Sequence, residues 1–134
     1  MVIVDTSVWV DYLRGVSTPQ TDWLHREIEK QRLGVVDLIL CEVLQGVVED
    51  RHFADVLRSL STFEVFTAGG VEFSVAAAQN YRTLRAKGKT VRKTVDCLIA
   101  TFCILNGHVL LHADKDFLPF RKRVELEGPP SLMS

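Results

Sequence analysis

The hydrophobic residues of this chain fall into short apolar runs that are separated by longer amphipathic stretches. The first run, Val2–Val4, has three β-branched residues in succession, which is typical of a strand buried on both faces of a parallel sheet. Comparable runs at residues 33–36, 63–66 and 108–111 predict three more strands. Residues 124–126 could add a fifth strand.

Between these runs, apolar residues recur every three or four positions, which predicts amphipathic helices. The predicted helices contain residues 8–13, 24–30, 38–48, 53–60, 73–84 and 95–106. Gly15, Gly88 and Gly107 end three of them, whereas Asp37 and Thr94 are expected to cap two others. The helix over 38–48 carries Leu38, Cys41, Leu44 and Val48 at helical spacing and is expected to bury them.

Short strands that alternate with helices indicate an α/β fold with a mainly parallel sheet of four to five strands and right-handed crossovers. The chain has 134 residues without a linker or a repeat, so we expect one domain over residues 1–134. The longest apolar run, 97–105, is too short to span a bilayer, and no membrane association is expected.

Five acidic residues follow strands or begin helices, and this places them at one edge of the predicted sheet. In a parallel sheet the helices run antiparallel to the strands, so strand carboxyl ends and helix amino ends share an edge. Asp5 follows the first strand, and Asp114 and Asp116 follow the fourth. Asp96 lies in the first turn of the preceding helix, and Glu42 lies in the first turns of the helix after the second strand. We therefore expect all five carboxylates to converge.

Converging carboxylates repel one another, and a bound divalent cation removes that penalty. A site made of oxygen ligands alone favours Mg²⁺ first and Mn²⁺ next, rather than zinc. A metal ion held by acids beside basic residues is an arrangement used for phosphodiester hydrolysis, because the ion activates water and stabilises the leaving oxygen.

The net charge of −1 gives no overall attraction to nucleic acids, but the basic residues are unevenly distributed. Six of them lie in one acid-free stretch: Arg82, Arg85, Lys87, Lys89, Arg92 and Lys93. Cations at the end of a helix also complement its dipole, which accounts for the first two. Lys89 and Arg92 lie beyond Gly88, and we expect them to bind phosphate groups of a substrate.

Three cysteines, Cys41, Cys97 and Cys103, form no Cys-x-x-Cys pair and are odd in number, so a disulfide framework is not expected. This usage favours a cytoplasmic protein with buried thiols. Trp9 and Trp23 are expected to be packing residues rather than platforms for base stacking.

Several motifs together resemble the PIN domain and, more narrowly, the VapC toxins of bacterial toxin–antitoxin pairs. The resemblance covers essentially the whole chain. Its motifs are Val4-Asp5-Thr6-Ser7, Glu42 in Cys-Glu-Val-Leu-Gln-Gly, Thr90-Val91-Arg92 before Val95-Asp96-Cys97-Leu98-Ile99-Ala100, and His112-Ala113-Asp114-Lys115-Asp116-Phe117. Asp37 departs from the pattern, because many relatives have a hydroxyl residue there.

This resemblance implies a three-layer α/β/α sandwich and a Mg²⁺-dependent endoribonuclease, with Mn²⁺ as a possible substitute. By position, the residues implied to bind metal are Asp5, Glu42, Asp96 and Asp114, with Asp116 as a further acid. Thr6 is implied to orient the nucleophilic water or a metal ligand. A homodimer and a small antitoxin that blocks the site are also implied, as is promoter DNA bound only through the antitoxin complex.

Two other functions compete with this interpretation. The same fold could serve as a binding module that lacks turnover and acts in an antitoxin and DNA complex, although a scaffold has no need for mutually repelling acids. A phosphatase with Asp5 as nucleophile usually has a second acid two residues later, where this chain has Ser7. Asp5 could also act simply as a helix cap, and Asp114 and Asp116 could be ordinary turn residues.

Overall fold

The computed structural model describes residues 1–89 and 91–123, with side chains to residue 120. These residues form four strands, seven α-helices and one 3₁₀ turn. The strands are β1 (Val2–Val4), β2 (Leu33–Val36), β3 (Glu64–Phe66) and β4 (Val109–Leu111). The α-helices are α1 (Thr6–Leu13), α2 (Pro19–Glu27), α3 (Asp37–Gln45), α4 (Asp50–Leu60), α5 (Val71–Ala86), α6 (Thr94–Asn106) and α7 (Leu118–Arg123), and the 3₁₀ turn is Lys115–Phe117. The possible fifth strand at 124–126 lies outside the described residues.

The four strands form one sheet in the order β3-β2-β1-β4, and every pair of neighbours is parallel. Val2 is in register with Leu33 on one side and with Val109 on the other, so β1 is an inner strand. All three residues of β1 are buried, as expected for a strand covered on both faces. The parallel α/β prediction is therefore confirmed.

The helices cover both faces of the sheet. The strand order places β2 and β3 on one side of β1 and β4 on the other side. The β1-to-β2 and β2-to-β3 connections therefore run in one direction across the sheet, and the β3-to-β4 connection runs in the opposite direction. Right-handed crossovers then place α1–α4 on one face and α5 with α6 on the opposite face. Packing agrees, since α1 contacts α2 and α3, and α5 contacts α6. The result is a three-layer α/β/α sandwich.

The core is apolar and includes two of the three cysteines. Cys97 and Cys103 are buried on α6, as expected, and Trp9 packs against Phe63 with ring centroids 5.4 Å apart. Cys41 is exposed, so the prediction that all three thiols are buried was wrong. None of the helices in the described ranges is long and apolar enough to cross a bilayer.

In α3 the predicted inner stripe was wrong at two of its four positions, because Leu38 and Leu44 pack against the core whereas Cys41 and Val48 are exposed. The buried residues of the helix are Ile39 and Val43, and Val48 is 94 % exposed. The helix ends at Gln45, so Val48 lies beyond it. Because apolar side chains surround nearly the whole circumference of α3, their periodicity alone could not identify the face that packs against the sheet.

Two predicted helix caps are displaced by one residue. Asp37 is the first residue of α3 rather than its cap, and its Oδ1 accepts hydrogen bonds from the backbone N–H groups of Leu38 (2.9 Å) and Ala68 (3.1 Å). Thr94 is the first residue of α6, and Lys93 occupies the N-cap position. Asp37 thereby connects the start of α3 to the loop that follows β3.

Candidate metal centre

Asp5 directly follows the carboxyl end of β1 and is the N-cap residue of α1. Its backbone N–H donates to the carbonyl of Leu111 over 2.9 Å, which fixes the end of β1 beside the end of β4. Its carboxylate caps α1 and accepts from the Ser7 hydroxyl at 2.8 Å and from the Ser7 N–H at 3.4 Å. Ser7 thereby restrains Asp5, a role that the sequence pattern did not indicate.

Asp96 reaches the same edge on α6. This helix is apolar around most of its circumference and is buried between the sheet and α5, and it begins at the edge where β4 ends. Asp96 lies in its first turn and is only 6 % exposed. The Oδ2 atom of Asp96 is buried and has no hydrogen-bond partner among the described residues. A buried carboxylate oxygen without a donor is costly unless a cation binds it.

Asp114 and Asp116 complete a compact group with Asp96. Asp114 caps the 3₁₀ turn, and its Oδ1 accepts from the Asp116 N–H at 2.9 Å. Asp96, Asp114 and Asp116 each offer a carboxylate oxygen, and these oxygens lie within 4.8 Å of one another. This spacing fits shared ligation of a hard cation.

Glu42 reaches this edge from α3 through a contact with the start of α1. The Thr6 hydroxyl donates to Glu42 Oε1 over 2.6 Å, although the two residues are 36 positions apart in sequence. The implied role of Thr6 was to orient water or a metal ligand, and the structure shows its hydroxyl holding a carboxylate. A charge-assisted bond of this length fixes the direction of the Glu42 side chain.

The acids affect one another's ionisation. Burial raises the pKa of Asp5, Ser7 and backbone hydrogen bonds oppose that rise, and the charge of Glu42 adds to it. Burial is the largest cause that raises the pKa of Asp96 to about 6; the charges of Asp5, Asp114 and Glu42 add to the rise, and Lys93 opposes it. The carboxylates therefore give this edge of the sheet a strong negative potential. Their all-oxygen donor set fits Mg²⁺ or Mn²⁺.

The two predicted phosphate-binding cations are surface residues. Lys89 and Arg92 are both exposed in the connection between α5 and α6, and neither forms an ion pair within the described ranges. The structure does not bring them into contact with the carboxylates. Lys93, which was not selected from the sequence, is a cation whose charge lowers the pKa of Asp96. The feature of the sequence that could have identified Lys93 was its position three residues before Asp96.

Comparison with known proteins identifies the family and agrees with the fold. The family model described as PIN domain matches residues 2–122. Ribonuclease VapC11 of Mycobacterium tuberculosis is 31 % identical over 119 residues, which span 87 % of this chain and 89 % of that protein. A VapC ribonuclease of Mycobacterium bovis matches to the same extent.

Solved structures share the architecture at low sequence identity. VapBC2 from Rickettsia felis, bound to a DNA fragment from its promoter, aligns with a TM-score of 0.75 at 16 % identity and covers 96 % of this chain and 98 % of that one. FitAcB from Neisseria gonorrhoeae aligns with a TM-score of 0.73 at 16 % identity and covers 99 % and 100 %. These likenesses concern the fold alone. The family match and the curated relatives, taken with the acid-lined sheet edge, show that the chain belongs to the PIN-domain family and is a relative of the VapC proteins.

Proposed function

We propose that this protein is a Mg²⁺-dependent endoribonuclease that hydrolyses RNA phosphodiester bonds and acts as the toxin of a toxin–antitoxin pair. The observation that carries this proposal is the group of Asp96, Asp114 and Asp116 oxygens within 4.8 Å, which includes a buried acid with an unpartnered oxygen. The names of the curated relatives, which are VapC ribonucleases, support the type of reaction.

The residues that would hold the ion are five acids from four segments of the chain: Asp5, Glu42, Asp96, Asp114 and Asp116. A bound Mg²⁺ would supply Lewis-acid activation of the attacking water and neutralise charge that develops on the phosphate. Because Ser7 holds one oxygen of Asp5 and Thr6 holds one oxygen of Glu42, the second oxygen of each acid remains available for ligation. Mn²⁺ satisfies the same ligands and should substitute.

Thr6 thus acts in this proposal through Glu42 rather than on water directly. Lys89 and Arg92, exposed on the connection that leads into α6, would bind backbone phosphates of the RNA on either side of the cut. Contacts of this kind position a substrate without reading its bases.

The proposed partners are a small antitoxin and a second copy of the chain, in the cytoplasm where cellular RNA is found. A cleft of about 380 Å³ between α1, α3 and α4 supports the antitoxin, because it is lined by apolar residues such as Val10 and Val47 and reaches Glu42. A protein segment seated there would obstruct the acids. Promoter DNA would bind only through the antitoxin complex, in agreement with the DNA-bound VapBC2 assembly of Rickettsia felis.

The deciding experiment is cleavage of a mixed cellular RNA pool by purified, antitoxin-free protein in Mg²⁺ and in EDTA. Asp5→Asn is the matched inactive variant, because Asn caps helices as well as Asp does and should preserve α1. Glu29→Gln, at an exposed position, is the control. Discrete fragments that require both Mg²⁺ and Asp5 are expected. Folded wild-type protein that cleaves nothing would refute the nuclease and favour the binding module.

A further inference from the structure

The start of α6 has a lysine at a position where helices favour a capping side chain. Lys93 is the N-cap residue, and no side chain caps the helix. Ser, Thr, Asp and Asn are preferred at this position because their oxygen accepts from the free N–H groups of the first turn. A cation there is also opposed by the helix dipole. The start of α6 therefore gains no local stability from Lys93.

The lysine has no ionic partner of its own. The ion pairs within the described ranges join Arg32 to Glu64 and Arg58 to Asp55, and Lys93 belongs to neither. Its side chain is exposed, so the ammonium group is free to reach an incoming ligand. Lys93 is the N-cap and Asp96 the N3 residue of α6, and these two positions lie side by side at the start of a helix, as they do in the capping box. The decrease that Lys93 causes in the Asp96 pKa agrees with this proximity.

Charge balance indicates what this lysine binds. A phosphodiester brings a further negative charge to an edge that already has five carboxylates. Divalent ions offset part of that repulsion, and Lys93 together with the uncapped N–H groups of α6 supplies positive potential at the same edge. Of the basic stretch between residues 82 and 93, Lys93 is the cation nearest to Asp96 along the chain, at the start of the same helix.

We propose that Lys93 is a catalytic residue whose ammonium group binds a non-bridging oxygen of the scissile RNA phosphate. This inference rests on the proposed function and deepens it. In the hydrolysis a bond forms between the water oxygen and phosphorus, and the bond from phosphorus to the leaving ribose oxygen breaks. The water proton passes to solvent or to the leaving oxygen, and the positive charge of Lys93 stabilises the additional negative charge of the transition state.

The test uses Lys93→Ser, which removes the charge and supplies the missing cap. Cleavage of a mixed-sequence oligoribonucleotide with fluorophore and quencher is measured in saturating Mg²⁺. We expect kcat to fall by about 100-fold, the lower range for removal of one preorganised electrostatic interaction, with a smaller change in KM. The melting temperature should be no lower than that of the wild type. Lys93→Arg should recover part of kcat, and Lys87→Gln, in the same basic stretch, should behave as wild type.

Metal binding gives a second readout that does not depend on cleavage. Because Lys93 repels cations, Lys93→Ser should bind Mg²⁺ with an unchanged or lower midpoint in a thermal-shift titration. A higher Mg²⁺ midpoint in Lys93→Ser, which means weaker binding of the ion, would show that Lys93 supports the metal ligands instead and would overturn the inference.

The outcomes separate the two proposals. Wild-type protein that does not cleave RNA in Mg²⁺ would refute the proposed function. If the wild type cleaves RNA and the kcat of Lys93→Ser is within threefold of the wild-type value, the role of Lys93 is refuted and the proposed function stands. A loss of kcat in Lys115→Gln without one in Lys93→Ser would assign the phosphate contact to the lysine between Asp114 and Asp116 instead.

Discussion

Replacing Asp96 with Asn should stabilise the metal-free protein, because it removes a buried carboxylate whose ionisation at neutral pH lowers the stability of the folded state. The folded-state pKa of Asp96 is about 6, compared with 3.8 for an unperturbed Asp. At 1.36 kcal/mol per pKa unit, the difference corresponds to about 3 kcal/mol of lost stability at pH 7.5. With about 2.1 cal/mol/K per residue of unfolding entropy, a chain of 134 residues should melt roughly 10 °C higher after the substitution.

The pH dependence identifies the cause. Because the folded protein holds the Asp96 proton more tightly than the unfolded chain does, its stability falls as the pH rises from about 4 to 6 and the loss is complete above that range. The melting temperatures of Asp96→Asn and wild type in EDTA should therefore differ most at pH 7.5 and converge near pH 4. Glu29→Gln, at an exposed position, controls for loss of one charge.

Mg²⁺ should reduce this difference in stability at pH 7.5. Millimolar Mg²⁺ is expected to raise the melting temperature of the wild type, because binding to the folded state stabilises it, and to have little effect on Asp96→Asn. Scanning calorimetry in EDTA and in Mg²⁺ measures both effects. Equal melting temperatures in EDTA across the pH range would show that the carboxylates impose no electrostatic penalty and would refute this reasoning.

Three further substitutions test separate interactions. Thr6→Val removes the 2.6 Å hydrogen bond to Glu42 and should lower kcat about 10-fold or more. Thr6→Ser keeps the hydroxyl and is the control. An equal decrease of kcat in both variants would exclude this hydrogen bond as the cause. Gly34→Ala would place a Cβ 2.7 Å from a phenylalanine ring of β3 and should cost about 1–3 kcal/mol in urea unfolding. Gly69→Ala, with no atom within 4 Å, is its control, and similar stabilities would contradict the close packing. The double variant Lys89→Ala with Arg92→Ala should reduce the salt dependence of RNA binding by a slope of roughly 1.4, because each phosphate that a cation neutralises on a single strand adds about 0.7 to the slope. An unchanged slope would remove both residues from the interface.

The convergence of the acids could be predicted because it follows from topology. Once the run Val2–Val4 is recognised as an inner parallel strand, Asp5 must lie at its carboxyl edge, and the same rule places Asp96 and Asp114 there. No side-chain detail is needed for that step. Parallel sheets with right-handed crossovers leave few alternatives.

Other features could not be predicted because they depend on packing and on single hydrogen bonds. The inner face of α3 is set by how the helix lies on the sheet, so the exposure of Cys41 was missed. The bond from Thr6 to Glu42 joins residues 36 positions apart, and no local pattern encodes it. The N-cap of α6 falls on Lys93 rather than on Thr94, and a shift of one residue is within the usual uncertainty of helix ends.

The pairing of β1 with β4 also determines when during synthesis the proposed activity can arise. Among the described residues, the two strands are the first and the last of the sheet in chain order, and the bond from Asp5 to Leu111 forms only after both have been made. A ribosome-bound nascent chain that ends before residue 109 contains Asp5, Glu42 and Asp96 but lacks β4 and the acidic turn after it. Arrested nascent chains of increasing length should therefore begin to cleave RNA only after Asp116 has emerged, and earlier cleavage would contradict this order. The proposed activity would therefore be absent from the nascent chain until the residues after β4 have been synthesised.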